Sequence, residues 1–128
     1  MNAHRHNRSG VHAGFIGMVM LAASATVWAA PAVNNIEAGR ALAFNRAQGN
    51  CLACHALPGG SQPGNVGPAL PMKGVTFQQM FQSKEKLVAF LSDPESLFPY
   101  ANMPEFGKYK VLTHTQLEQI ADYLWSLK

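Results

Sequence analysis

The segment Cys51-Leu52-Ala53-Cys54-His55 contains both cysteines of this 128-residue chain. It has the form C-x-x-C-H, in which two thiols lie about one helical turn apart and a histidine follows directly. With this spacing each thiol can add to one vinyl group of a haem while the imidazole comes to lie under the iron. The segment therefore predicts one covalent haem c, bound through Cys51 and Cys54, with His55 as the proximal iron ligand.

Three other uses of a cysteine pair fit the chain less well. A thioredoxin-like redox pair needs a βαβ context, and the chain has no strand signals. A zinc site needs further Cys or His ligands, but beyond the first 14 residues the only histidine other than His55 is His114. A plain disulfide leaves His55 without a role. Haem attachment accounts for all three motif residues.

The first residues differ in composition from the rest of the chain. Residues 1–14 carry basic side chains and no acid, and an uncharged apolar run extends from Phe15 to Trp28. This run is shorter than the roughly 20 residues that span a bilayer, which disfavours a retained membrane anchor. We predict a secretory signal peptide over residues 1–29, cut after Ala29, and a single periplasmic domain over residues 30–128.

The basic charge of the chain belongs largely to this leader. Removing Arg5 and Arg8 lowers the formal net charge from +3 to +1, so the charge gives no reason to expect a nucleic-acid partner. The domain that is left is small enough for its apolar core to give only modest stability. We expect the covalent cofactor to complete that core.

A second axial ligand is expected from the loop methionine Met103. Pro104 prevents a helix there and keeps Met103 extended, so that its sulfur can reach across a haem face. Met72 lies in a loop as well and is the main competitor, whereas Met80 lies among aromatic residues and is expected to fill the core. His114 is expected to be exposed at the start of the last helix.

His/Met ligation would fill both axial positions of the iron and raise its reduction potential. A saturated iron favours outer-sphere electron transfer over catalysis at the haem, so no catalytic residue is expected. The proximal imidazole normally donates its other ring N–H to an acceptor that orients the ring. We expect a carbonyl of the segment Gly67-Pro68-Ala69-Leu70 to accept this hydrogen bond.

The helical signals predict an all-α domain. A first helix should start at Asn34 or Asn35 and run towards Gly49, a second should follow the cap Ser83, and the closing helix should follow the capping box of Thr113 and Gln116. A glycine inside the first helix, at position 39, suggests close approach of another helix. We expect crossing terminal helices, with the loops 58–71 and 94–109 enclosing the haem.

These features together resemble class I cytochromes c over nearly the whole chain after the leader. A narrower likeness is to the SoxX proteins, the monohaem subunits of SoxAX cytochrome complexes. It is carried by the segments 49–55, 63–70, 93–94, 103–108 and 111–113. SoxX proteins more usually have proline where this chain has Glu105, which leaves the methionine in place but adds a charge near the haem.

The likeness implies an electron-transfer subunit of a heterodimer with a SoxA-like cytochrome. That complex acts as an L-cysteine S-thiosulfotransferase, coupling thiosulfate oxidatively to a cysteine of a SoxYZ-like carrier. This chain would accept the electrons and pass them to a downstream cytochrome c, and would not be catalytic alone. The family pattern also implies that Cys51 and Cys54 form the thioethers, that His55 and Met103 bind the iron, and that Pro68 supports the proximal side.

Two other functions stay open at this point. The first is a free-standing periplasmic electron shuttle, and the second is a haem sensor in which Met103 does not bind the iron. An obligate subunit should expose an apolar patch near the haem, and a shuttle a charged ring. The candidates for the patch, unless they are buried core, are Phe98, Tyr100, Phe106 and Tyr109. The candidates for the ring, unless they are simply solvated, are Lys84, Lys86, Lys108 and Lys110.

Overall fold

The computed structural model describes residues 34–128, and the predicted signal peptide lies outside this range. Four helices form there, namely α1 (Asn35–Phe44), α2 (Phe77–Phe81), α3 (Lys84–Ser92) and α4 (His114–Ser126). Short 3-10 turns occur at Cys51–Ala53 and Pro94–Ser96. Among residues 34–128 there is no β-strand, so the all-α prediction is confirmed.

The predicted N-caps are found at three helices. The side chain of Asn34 accepts from the Ile36 N–H at 3.1 Å, and Ser83 accepts from Lys86 at 3.3 Å. At α4, Thr113 and Gln116 form both bonds of a capping box. These bonds satisfy N–H groups that have no partner inside the helix, which is why such residues start helices.

The first helix is shorter than predicted. Asn45 leaves the helical conformation with φ −74° and ψ 114°, so α1 ends at Phe44 and does not continue towards Gly49. The Asn45 side chain accepts from the Ala47 N–H at 2.9 Å, and its carbonyl accepts from Asn50 at 2.9 Å. Asparagine favours such turns because its side chain can bond the backbone nearby.

The helix α2 is a single turn of five residues, which is too short for the apolar pattern to predict it as a helix. Its local signal is a second capping box, formed by Thr76 and Gln79. It carries Phe77 and Phe81, which are both buried. Met80 is half-buried and packs against the core, as predicted for a methionine among aromatic residues.

The terminal helices α1 and α4 cross at Gly39. A Cβ at this position would lie 2.9 Å from the Ile120 nitrogen and closer still to the Gln119 carbonyl, both in α4. Only glycine lets the two backbones approach so closely. Near this crossing, the rings of Phe44 and Tyr123 meet edge to face with their centroids 6.2 Å apart. The predicted crossing is therefore confirmed.

The core is built by α1, α2, α3 and α4 and by two loop leucines. It contains thirteen buried residues, namely Ala43, Leu57, Phe77, Phe81, Leu87, Val88, Leu91, Leu112, Leu117, Ile120, Ala121, Tyr123 and Leu124. Cys51 and Met103 are half-buried and pack against it. The core thus positions both the cysteine turn and the methionine loop. None of the helices within residues 34–128 has the length and apolar character needed to cross a membrane.

Candidate haem site

The two cysteines lie in a tight turn after α1. Asn50 adopts the left-handed conformation, with φ 48° and ψ 36°, and reverses the chain direction. The Cys51 carbonyl then accepts from the N–H groups of Cys54 at 3.2 Å and His55 at 2.9 Å. These bonds wind the motif into one turn, which places the two thiols and the imidazole on a single short segment.

Both cysteines are free thiols and half-buried. Burial raises the pKa of Cys51 to about 11, so this thiol is protonated at neutral pH. A reactive cysteine of the thioredoxin type has a lowered pKa instead, because only its thiolate is nucleophilic. The surroundings of Cys51 therefore argue against a thiol–disulfide exchange site.

The imidazole of His55 has a defined orientation. Its Nδ1 lies 2.7 Å from the carbonyl oxygen of Pro68. A carbonyl can only accept a hydrogen bond, so Nδ1 carries a proton, and in the neutral imidazole Nε2 then keeps the lone pair that could bind iron. The structure confirms the predicted acceptor segment and identifies Pro68 as the residue in it. Such a partner is typical of a metal-binding histidine.

A loop segment, residues 64–70, runs along the cysteine turn and is called the strap below. Three of its N–H groups donate to alternate carbonyls of residues 52–56. Gly64 bonds Leu52 at 2.8 Å, Gly67 bonds Cys54 at 2.9 Å, and Leu70 bonds Ala56 at 2.8 Å. The strap can lie this close to the cysteine turn because residue 64 has no side chain. A Cβ on Gly64 would lie 2.6 Å from the Ala53 carbonyl carbon, which is too close. The Pro68 carbonyl is thereby held against the imidazole.

Met103 lies in a loop that is tied to the end of α3. The N–H groups of Gly107 and Lys108 both donate to the Ser92 carbonyl, at 3.2 and 3.1 Å. Within the loop, the Leu112 N–H donates to the Phe106 carbonyl at 3.0 Å. The Met103 side chain is half-buried against the core. Ligation of iron by this methionine stays a prediction.

The rival distal ligands differ in their surroundings. The side chain of His114 is 76% exposed and its Nε2 lies 3.4 Å from the Glu118 carboxylate, on the outer face of α4. This placement agrees with the predicted exposure. Met72 is half-buried in the loop that follows the strap. It therefore stays the alternative to Met103 as the distal iron ligand.

A charged cluster flanks the methionine loop. The Lys108 ammonium pairs with the Glu105 carboxylate and lies 3.6 Å from an oxygen of Asp93. The hydrogen bond between Lys108 and Glu105 lowers the pKa of the carboxyl and raises the pKa of the ammonium. The charge of Glu105 is thus neutralised locally by Lys108.

The four candidate docking lysines do not form a free cationic ring. Lys84 pairs with Asp122 at 2.6 Å, and Lys108 belongs to the cluster with Glu105. Lys86 donates to the side chain of Gln82 at 2.9 Å. Pairing of two of the four favours the interpretation of these lysines as ordinary solvated surface.

The aromatic residues around Met103 are mostly exposed. Tyr100 is 99% exposed, Tyr109 70% and Phe98 46%, whereas Phe106 is half-buried and packs on the core. The alternative that this group is buried core is therefore wrong for Tyr100 and Tyr109 and holds in part for Phe106. Phe98 is exposed on one side and packs edge to face on Phe81 and Phe90, with ring centroids 6.3 and 5.4 Å apart. Large exposed side chains near a functional loop are typical of a binding surface.

The donor groups fit a covalent haem. Two free thiols one turn apart, an imidazole with its Nε2 lone pair available and a glycine-lined strap agree with attachment through Cys51 and Cys54 and binding of iron by His55. In the part of the chain that the structure describes, no group of three or more His, Cys, Asp or Glu side chains is placed to hold a metal ion. A cleft of about 430 Å³ borders the same turn, but neither cysteine nor His55 lines it.

Comparison with known proteins agrees with this site. The sequence profile of the cytochrome c family matches residues 36–128. A comparison with curated proteins finds no match. The matched range includes the cysteine turn, the strap, the methionine loop and all four helices except the first residue of α1. The chain therefore belongs to the cytochrome c family, and its cysteine pair implies one covalent haem c that serves electron transfer.

Proposed function

We propose that this protein is the monohaem electron-transfer subunit of a SoxAX-like complex in the periplasm. The observation that carries the proposal is the set of exposed aromatic side chains, Phe98, Tyr100 and Tyr109, on either side of Met103 in the sequence. Exposed tyrosine and phenylalanine side chains in the segment that holds Met103 suit a stable protein partner, because aromatic residues are enriched at such interfaces.

The motif likeness adds the identity of the partner. Segments 49–55, 63–70 and 103–108 resemble SoxX proteins, whose partner is a SoxA cytochrome. In this proposal the SoxA-like partner carries out the coupling of thiosulfate to a cysteine of a SoxYZ-like carrier. That coupling releases two electrons, and the haem of the present chain accepts them one at a time. It then passes them to a downstream cytochrome c.

The chemistry of this chain's site agrees with such a role. The His55 imidazole is fixed by Pro68, and a methionine loop packs against the core, so neither side needs to open during turnover. A centre that keeps its ligands in both oxidation states reorganises little on electron transfer. The proposal therefore assigns no substrate-binding residue to this chain.

The test is reconstitution with purified components. The haem-loaded chain is mixed with a SoxA-like partner and a SoxYZ-like carrier, thiosulfate is added, and reduction of this chain's haem is followed by its visible spectrum. We expect reduction only when the partner and carrier are both present. Reduction at the same rate without the SoxA-like partner would favour the free-standing shuttle.

A matched pair of surface variants tests the interface. Tyr100→Ser removes the most exposed aromatic ring, and Val75→Ser removes an apolar side chain that is 39% exposed and lies outside residues 98–109. We expect Tyr100→Ser to weaken binding to the SoxA-like partner by about tenfold or more, as for an interface hot spot. Equal effects of both variants, or no effect of either, would contradict a docking role for the aromatic surface.

A further inference from the structure

The imidazole of His55 is bounded by the strap at two places. Besides the hydrogen bond from Nδ1 to the Pro68 carbonyl, the backbone of Gly67 lies against the ring. A Cβ at position 67 would stand 2.6 Å from Nδ1 and 2.8 Å from Nε2, and closer still to Cε1. No side chain can be placed there without moving the ring or the strap.

These distances locate the glycine over the face of the ring. An atom beyond the ring edge at Cε1 would be clearly farther from both nitrogens than from the carbon. The position that a Cβ would take is nearly equidistant from the two nitrogens and close to all three atoms, so it lies above the plane. Gly67 therefore limits how far the imidazole can rotate about its Cβ–Cγ bond.

The strap cannot easily move away from the ring. The Gly67 N–H donates to the Cys54 carbonyl at 2.9 Å, and the Leu70 N–H donates to the Ala56 carbonyl at 2.8 Å. Both acceptors are immediate neighbours of His55 in the chain. These two bonds thus hold Gly67 at a fixed position relative to the backbone of His55. Cys54, which accepts one of them, would also form one of the two haem thioethers.

We propose that Gly67 is a positioning residue that sets the plane of the proximal imidazole. The Pro68 carbonyl fixes the direction of Nδ1, and the Gly67 backbone fixes the rotation of the ring. The orientation of this plane relative to the haem determines how imidazole and iron orbitals overlap. The hydrogen bond at Nδ1 determines how strongly the imidazole donates to the iron. The proposal rests on haem attachment at this turn and not on any partner protein.

The test compares the haem-loaded Gly67→Ala variant with the wild-type protein. The added methyl group must turn the ring or push the Pro68 carbonyl away from Nδ1. We expect a changed order or spread of the four haem methyl resonances in the proton NMR spectrum of the ferric protein. We also expect a higher midpoint potential, because a weaker hydrogen bond makes the imidazole a poorer donor.

The matched control is Gly74→Ala. This glycine has φ +79°, so alanine is strained there, but no atom lies within 4 Å of the position that its Cβ would take. It should lower stability without changing the haem methyl resonances. Wild-type resonances and potential in Gly67→Ala would overturn the proposal, and so would equal changes in both variants.

A measurement on the wild-type protein covers the case in which Gly67→Ala does not accumulate with haem. In the diamagnetic ferrous state, the α protons of Gly67 should give nuclear Overhauser effects to the Hε1 proton of His55. Their absence would show that the glycine does not cover the ring in the loaded protein, and the proposal would fail.

Discussion

The two sides of the haem site are held in different ways. On the proximal side, three backbone hydrogen bonds of 2.8–2.9 Å join the strap to the cysteine turn, and a fourth, of 2.7 Å, joins the Pro68 carbonyl to the imidazole of His55. On the side predicted to be distal, the loop of Met103 is tied to α3 through a single carbonyl, that of Ser92, and through the charged cluster of Lys108, Glu105 and Asp93.

This difference has a physical consequence for ligation. The three bonds between the strap and the cysteine turn join backbone groups, which do not titrate, and the thioethers would add a covalent link. The distal cluster depends on the charges of Glu105 and Lys108. We therefore expect a proximal ligand that stays in place under all conditions in which the protein is folded, and a distal ligand that is released first. Substitutions on the two sides test this asymmetry.

The largest effect is expected from loss of the proximal histidine. His55→Ala leaves the haem without the ligand that the strap orients, and we expect a protein that lacks the six-coordinate low-spin spectrum. The matched control is His114→Ala, since that side chain is 76% exposed on α4. The measurement is the visible spectrum of the purified protein. A low-spin spectrum in His55→Ala would contradict the assignment of the proximal ligand.

Loss of Met103, the predicted distal ligand, should keep the haem in place but open the iron. We expect Met103→Ala to retain the covalent haem and to bind added imidazole at least about tenfold more tightly than wild type, because no internal ligand competes. The affinity is measured by spectral titration. Met72→Ala is the control, and it should behave like wild type. If the two variants exchange these results, Met72 is the ligand.

Alanine substitutions at Gly64 and Gly107 test how tightly each side of the site is packed. A Cβ at Gly64 in the strap would strike the Ala53 backbone, whereas one at Gly107 would strike the Ser92 side chain, 2.8 Å from its Cβ. Backbone cannot yield as a hydroxyl group can. We expect Gly64→Ala to lower the free energy of unfolding by about 2–3 kcal/mol and Gly107→Ala by about 1 kcal/mol. Denaturant unfolding of both variants measures this, and the reverse order would contradict the asymmetry.

The smallest effect is a pH dependence confined to the distal side. The pKa of Glu105 is lower in the folded protein than in the unfolded chain. Its stabilisation of the folded loop is therefore fully present above the unfolded-state pKa and is lost as the pH falls through the folded-state pKa. The pKa of Lys108 is higher in the folded protein than in the unfolded chain. Its stabilisation of the folded loop is therefore fully present below the unfolded-state pKa and is lost as the pH rises through the folded-state pKa. We therefore expect methionine ligation to weaken in acid and in strong base.

The measurement is the weak red absorption band of ferric methionine-ligated haem, followed against pH. Glu105→Gln keeps the shape of the side chain but removes its charge, so the acid step should become smaller in this variant. Lys84→Gln is the control, because Lys84 pairs with Asp122 and belongs to no part of the distal cluster. Equal changes in both variants would show that the step reflects overall stability.

Much of the fold could be predicted from local signals. Capping residues such as Asn34, Ser83 and Thr113 act within a few residues of their helices, so the sequence is sufficient to place these starts. The sequence did not give the end of α1, because the hydrogen bond from the Ala47 N–H to the Asn45 side chain forms a turn at a position where the helix could also continue. The single-turn helix α2 was missed as a helix, since its capping box is local but its length gives no periodicity.

The candidate site divides in the same way. The C-x-x-C-H motif is contiguous, so Cys51, Cys54 and His55 could be named from the sequence. The residues alone narrowed the acceptor for the imidazole to four positions, and the family likeness pointed to Pro68. That its carbonyl reaches Nδ1 depends on how the strap folds back. The exposure of Tyr100 could not be predicted, because aromatic residues in a short irregular segment have no periodic pattern that distinguishes core from surface.

By itself, the sequence determined the chemistry of the cofactor and the starts of the helices, because covalent attachment and helix capping depend on neighbours a few residues away. The tertiary structure alone decided what bounds the His55 ring, where α1 and α4 approach at Gly39, and which aromatic side chains face solvent. These features join residues that are distant in the chain, and their positions follow from packing of the whole domain.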